Sequence, residues 1–177
     1  CQDMKVCILG TGYVGLVSGT CFAELGNNVI CVDNNHKKID KLNSCIVPIY
    51  EPGLEELILR NSKQNRLKFS TDIKSSIKNS DIIFICVGTP INKKTNSADL
   101  KYVISVANSI KQNLNKYKII VTKSTVPITT GDKIEKILYT KKNKKKFEVV
   151  SNPEFLREGE AIRDFLYPDS VVIGTSS

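Results

Sequence analysis

The sequence predicts an α/β fold, a doubly wound Rossmann-type, mostly parallel sheet with helices on both faces. Three observations predict it. Short, continuously apolar runs of strand length recur along the 177 residues, helical stretches separate them, and glycines, prolines and polar residues gather where the runs end. A continuous apolar run has both faces buried, the condition of a strand in a parallel sheet covered on each side.

The elements follow in order. "KVCILG" (5–10) is the first strand and "GTGYVG" turns it into a helix over 13–25. "NVICVD" (28–33) is the second strand, closing on Asp33, with helices predicted over 35–43 and 53–62. "LKFS" (67–70), a helix over 73–79 and "DIIFICV" (81–87) follow, the last opening into "VGTP". A helix over 99–113 leads to "YKIIVT" (117–122), which opens into "KSTVP". A helix over 129–140 precedes "FEVVS" (147–151), which opens into "SNPE", a helix over 154–163 and a last strand, "SVVIG" (170–174). No internal repeat competes with this alternation. Ligands of open parallel sheets bind in the crevice at the carboxyl ends of the strands, so the five clusters at those ends are candidates for one site.

Composition narrows the classes of function. Hydrophobic residues make up 41% and charged residues 25%, with a mean hydropathy of −0.15, as in an ordinary globular domain. Residues 4–177 suffice for one domain with a real core. No apolar run has the length of a bilayer span and no charged-then-apolar leader precedes the first strand, so no membrane is expected and the setting reads as cytoplasmic. The formal charge is +8, but "KKNKKK" at 141–146 supplies five of the lysines. That run lies between a helix and a strand without aromatic interleaving, so it reads as a solvated loop, and no nucleic acid is expected as a partner. The six cysteines form no C-x-x-C pair and the chain has one histidine, which argues against a metal site. Cys7, Cys31 and Cys86 fall inside strand runs, where a free cysteine behaves as a small hydrophobe.

The site motifs have physical readings of their own. In "GTGYVG", Gly10 permits the tight turn, Gly12 lets backbone approach a pyrophosphate and Gly15 lets helix and strand pack closely. Free N–H groups at the helix start then meet the phosphates. Asp33 can accept hydrogen bonds from ribose hydroxyls and would repel a 2′-phosphate, favouring NAD over NADP; Lys37 and Lys38 soften that discrimination, and a helix cap is the alternative reading of Asp33. In "VGTP", Gly88 admits close backbone approach, Pro90 ends the ladder, and Thr89 either faces a cofactor or shapes the turn. Lys123, Ser124 and Thr125 could hold a water, a ribose or a reacting oxygen, or cap the next helix. In "SNPEFLREGEAI", Asn152 and Pro153 suit a helix start and Glu154 its first turn. Glu158 lies one turn later on the same face, with Glu160 pointing elsewhere. Acid/base chemistry and capping account equally well for that carboxylate pair.

The combination is more specific than its parts. In this order, "GTGYVG", "PIYEPGL", "ICVGTP", "ADLKYV", "KSTVP" and "SNPEFLREGEAIRDF", followed by "YPD" and "VVIG", resemble the amino-terminal domain of the nucleotide-sugar dehydrogenase family, from Lys5 to Gly174. Such enzymes oxidise the C6 alcohol of a nucleotide sugar to a carboxylate with two NAD⁺, through a cysteine-bound thiohemiacetal and thioester. The resemblance implies that Gly10, Gly12 and Gly15 hold the pyrophosphate, that Thr11, Tyr13 and Val14 belong to the same cofactor-binding turn, and that Asp33 and Lys38 bind the adenosine ribose. It implies that Val87, Gly88, Thr89, Pro90, Ser124 and Thr125 line the cofactor site. Thr125 would also position a water, Glu154 would act as acid/base, and Glu154, Phe155, Leu156, Arg157 and Glu158 would border the sugar, with Glu158 near the nicotinamide.

UDP-glucose is the implied substrate; GDP-mannose, UDP-N-acetylmannosamine and a non-catalytic NAD-binding module are the alternatives. The family's nucleophilic cysteine and most of its UDP pocket belong to a central helix and a carboxyl-terminal domain, expected beyond Ser177. The chain alone is therefore expected to bind NAD without turnover and to be a monomer, its parent a homodimer or larger. Residues 1–3, ahead of Met4, read as additions before a native start.

Overall fold

The structure, a computed structural model, describes residues 4–122, 130–151, 159–166 and 174–175. Its main sheet runs β3-β2-β1-β4-β7-β8-β9. The strands are β1 (Lys5–Leu9), β2 (Asn28–Val32), β3 (Leu67–Ser70), β4 (Ile82–Ile85), β7 (Lys118–Thr122), β8 (Phe147–Ser151) and β9 (Gly174–Thr175). Six of them are parallel, and β9 pairs antiparallel with β8. The chain builds outward from β1 to β3 and then returns to place β4 against the other side of β1. The order therefore reverses between β1 and β4, where an open sheet leaves a crevice above its carboxyl ends.

Alternate residues of each strand serve opposite faces. Val6 and Ile8 of β1 join a cluster with Leu16 and Val17 of α1 (Tyr13–Glu24), Ile39 and Leu42 of α2 (His36–Asn43), and Leu54 and Ile58 of α3 (Leu54–Lys63). Cys7 and Leu9 join the other, with Ile77 of α4 (Ile73–Lys78), Val103, Ala107 and Ile110 of α5 (Lys101–Gln112), and Ile134 and Leu138 of α6 (Thr130–Leu138). Two cores on one sheet explain why the strands read as unbroken apolar runs. The last described helix, α7 (Ala161–Leu166), packs Ala161 into the first cluster beside α1.

Two features differ from the sequence expectation. The helix predicted over 154–163 does not run through its carboxyl half: Gly159 takes φ +89, Glu160 lies in a bend, and helix begins at Ala161 and extends to Leu166. A left-handed glycine cannot continue a right-handed helix, so the periodicity spans a break. A small hairpin, β5 (Ile91–Asn92) with β6 (Ser97–Ala98), also stands between β4 and α5. Two-residue strands carry no readable period. Local bonds hold its loop instead: Asn92 accepts from the Lys94 N–H through its side chain and from the Asn96 N–H through its carbonyl.

Candidate functional site

Above the β1/β4 switch lies a cleft of about 420 Å³, walled by the glycine-rich turn, the end of β2, the loop after β4 and one face of α5. The glycines are required by geometry. Gly10 takes φ +109, and a Cβ there would sit 2.7 Å from the Cys86 carbonyl oxygen. A Cβ on Gly15 would lie 2.0 Å from the Gly10 carbonyl oxygen, backbone against backbone. Gly12 differs: it caps α1 without any side-chain cap, and a Cβ there would meet nothing within 4 Å. Gly10 and Gly15 thus close the turn, while Gly12 leaves open space in front of the first N–H groups of α1. No acidic residue stands in that first turn. A helix start so arranged presents the positive end of its dipole to an anion such as a pyrophosphate.

Asp33 follows directly on β2 and lines the cleft. Its Oδ2 accepts from the Thr11 hydroxyl at 2.6 Å and the Thr11 N–H at 3.2 Å, and its Oδ1 accepts from the Asn35 N–H at 3.0 Å. Burial pushes this carboxyl up, but the Thr11 and Asn35 donors and the nearby Lys38 charge outweigh it, and its pKa falls below the usual value. The group is an oriented carboxylate with acceptor capacity left for a ligand. The capping alternative goes to another residue: Asn35 accepts from the Lys38 N–H at 3.1 Å and caps α2.

The remaining sequence-predicted residues divide into four groups. Thr11, Val87 and Gly88 line the cleft. Thr11 is fully buried, and its hydroxyl is spent on Asp33. Tyr13 and Val14 turn their side chains away from the phosphate position, Tyr13 donating to Glu51 at 3.0 Å and Val14 packing on the first core cluster. Lys38, Thr89 and Pro90 are not among the lining residues of the cleft; Lys38 acts on Asp33 through its charge, and the Pro90 carbonyl accepts from the Asp99 N–H at the hairpin base. Ser124, Thr125, Glu154, Phe155, Leu156, Arg157 and Glu158 lie outside the described residues. The strands before them end side by side, with Thr122 paired to Ser151 in register and its hydroxyl 3.3 Å from that of Ser151.

Sequence reasoning missed the far wall of the cleft. Tyr102, Ser105, Val106 and Ser109 line it from α5, and Thr71 and Ile73 close it beyond β3. The i, i+3, i+4, i+7 spacing on α5 was a readable signal for one face of a helix. Among the described residues no group of three or more His, Cys, Asp or Glu could hold a metal ion, and no helix is long and apolar enough to cross a membrane. Cys7, Cys21, Cys31 and Cys86 are buried and Cys45 is half-buried, and burial pushes the Cys7 thiol up to about 12.

Residues 4–177 match the family described as UDP-glucose/GDP-mannose dehydrogenase family, NAD binding domain. The chain belongs to this family. It is 53% identical over 174 residues to the UDP-glucose 6-dehydrogenase TuaD of Bacillus subtilis, covering 98% of this chain and 38% of that protein. It is 49% identical over 171 residues to the UDP-glucose 6-dehydrogenase of Rhizobium meliloti, covering 97% of this chain and 39% of the relative. Among solved structures, a UDP-glucose dehydrogenase from Pyrobaculum islandicum superposes with a TM-score of 0.92 at 38% identity, over 99% of this chain and 41% of that one. A GDP-mannose dehydrogenase from Pseudomonas aeruginosa superposes at 0.90 and 38%, over 98% of this chain and 41% of its own. The chain thus spans about two fifths of the length of the relatives it matches. Its cofactor is NAD, and the cleft fits: an open helix start for the pyrophosphate, an oriented carboxylate for a ribose, and a wall from α5 that mixes Tyr102 and Val106 with Ser105 and Ser109.

Proposed function

We propose that the chain is the amino-terminal, NAD-binding part of a UDP-glucose 6-dehydrogenase that oxidises the C6 alcohol of UDP-glucose to the carboxylate of UDP-glucuronate. The observation that carries the reading is the pairing of a cleft lined by the glycine-rich turn and Asp33 with near 50% identity to UDP-glucose 6-dehydrogenases along nearly the whole chain. NAD, when bound, supplies the hydride acceptor. The chain's own residues bind and orient it. The α1 amides take the pyrophosphate, Asp33 and Lys38 the adenosine ribose, Val87 to Pro90 with Ser124 line the cofactor site, and Glu158 lies near the nicotinamide. Asp33 repels a 2′-phosphate and so selects against NADP.

In the same proposal Thr125 orients a water and Glu154 moves its proton, while Glu154 to Glu158 border the sugar. Motif position supports these roles, and so does the adjacent ending of β7 and β8 at the carboxyl edge. A domain from residue 4 to 177, followed in the whole protein by a central helix and a UDP-sugar domain bearing the nucleophilic cysteine, accords with the greater length of the relatives. A homodimeric or larger parent and a reducing, cytosolic setting complete the proposal, the latter in keeping with the burial of Cys7 and Cys31 inside apolar strands.

The test is NADH formation by the full-length gene product with UDP-glucose, beside GDP-mannose and UDP-N-acetylmannosamine. Two NADH per UDP-glucose, and none with the others, is the expected result. Turnover of another sugar alone would reassign the substrate, and NAD binding without any turnover would leave a binding module.

A further inference from the structure

Glu51 belongs to the turn of "PIYEPGL", far from the cleft in sequence and assigned no role by the motifs. Its side chain is 5% exposed and gathers three donors. Oε2 accepts from the Tyr13 hydroxyl at 3.0 Å and from the Gly159 N–H at 2.9 Å, and Oε1 accepts from the Ala161 N–H at 2.8 Å. Tyr13 is the first residue of α1, directly after Gly12. Gly159 and Ala161 are where the chain carrying Glu154 and Glu158 enters α7. One carboxylate therefore touches both the cofactor loop and the end of the segment proposed to do the chemistry.

The surroundings fix Glu51 in turn. Its carbonyl accepts from the Leu54 N–H at 3.1 Å, and Gly53, at φ +81, caps α3 in a conformation that glycine adopts without strain. The Cβ position of Gly53 lies 3.7 Å from the Ile162 side chain, so α3 and α7 meet beside the carboxylate. Only an acceptor-only group suits this place. A carboxylate receives three donors on two oxygens, whereas an amide would turn an NH₂ toward an N–H or a hydroxyl. Shortening the side chain to Asp would withdraw it from at least one side.

We propose that Glu51 is a positioning residue for the reaction, tying the entry to α7 at Gly159 and Ala161 to the cofactor loop at Tyr13. The inference rests on the function proposed above and acts through the hydrogen bonds to Tyr13, Gly159 and Ala161. A misplacement of about 1 Å at a reacting group can cost on the order of 100-fold in rate.

The test uses the full-length protein, its Glu51→Gln variant and its Tyr13→Phe variant, compared in kcat per folded molecule, KM for NAD and amide exchange. For Glu51→Gln the expected result is a fall in kcat of about tenfold or more, with KM for NAD changed by less than about threefold, since backbone amides hold the pyrophosphate. Tyr13→Phe, which keeps the α7 bonds, is expected to lose about threefold in kcat. A lowered melting point with kcat per folded molecule unchanged would make Glu51 merely structural and overturn the proposal. If Glu51→Gln does not fold, Tyr13→Phe decides alone, and unaltered kcat there overturns the tie. If the parent itself does not oxidise UDP-glucose, the functional reading fails, and exchange decides the inference separately. NAD should then slow exchange of the Gly159 and Ala161 amides in the parent and not in Tyr13→Phe; an equal response in both overturns it.

Discussion

At the carboxyl edge of the sheet Asp33 stands half-buried at the rim of the cleft, held by Thr11 and Asn35 with acceptor capacity to spare. At the amino edge, 118 residues into the chain, Lys118 is fully enclosed at the start of β7, and its ammonium donates to the carbonyls of Lys78 and Ser80. Around it Asp81 accepts from the Lys5 N–H at 3.1 Å and pairs with Lys116 at 2.9 Å. Both edges hold charged groups in partly apolar surroundings. The amino edge consumes its polar groups internally and so closes the sheet. The carboxyl edge orients its groups and leaves them facing open space, the arrangement a ligand can use.

The comparison breaks most severely at Gly15. Gly15→Ala drives a Cβ into the Gly10 carbonyl, a backbone contact that cannot be relieved by rotating a side chain. A loss of about 3 kcal/mol or more is expected, read as a drop of roughly 10 °C in melting temperature together with loss of NAD binding. Gly12→Ala, whose Cβ meets nothing, is expected to fold normally and to weaken NAD binding only.

Asp33→Ala comes next. Removing a charged acceptor from the ribose is expected to weaken NAD binding by roughly 10- to 100-fold, equivalent to about 1.5–3 kcal/mol, and to narrow the preference over NADP. Its depressed pKa also adds stability that is present above about pH 4 and lost as pH falls through the folded-state value. Denaturant titrations of parent and variant should therefore converge in acid.

Lys118 responds in the same direction but in an alkaline window, and there the folded state disfavours the charged form. Burial pushes its pKa down to about 8, with the Lys116 charge adding to the shift. An unfolded lysine titrates near about 10.4. Between these values the unfolded chain binds the extra proton, so the fold gains stability as pH rises. Relative to Lys118→Met, the parent is expected to gain on the order of 1 kcal/mol between pH 7 and pH 9.5, measured by denaturant unfolding. The smallest effect belongs to the lysine run. Lys144 and Lys145 are exposed beyond the turn in which Thr140 accepts from the Asn143 N–H. Replacing both by Ala is expected to change stability by less than about 0.5 kcal/mol.

What the sequence made legible follows the same division. The strands, the glycine turn and Asp33 were readable because each is local: a continuous apolar run, a steric need for glycine, a carboxylate at a strand end. Gly159 defeated the helix predicted over 154–163 because its left-handed backbone interrupts a periodicity that the side chains continue. Glu51 was beyond reach for another reason. Its partners lie 38, 108 and 110 residues away, and nothing local to "PIYEPGL" says which donors will converge on it. Lys118 reads as an ordinary strand-opening lysine until the turn after α4 brings two carbonyls to it.

The central claim is that the carboxyl edge is built for NAD and that Asp33 does the choosing. The most direct measurement titrates NAD and NADP separately into the chain by calorimetry at fixed salt. The account expects saturable binding of NAD and binding of NADP weaker by about tenfold or more, with the gap narrowed in Asp33→Ala. Equal affinity for the two dinucleotides, or no binding of either to the folded chain, would contradict it.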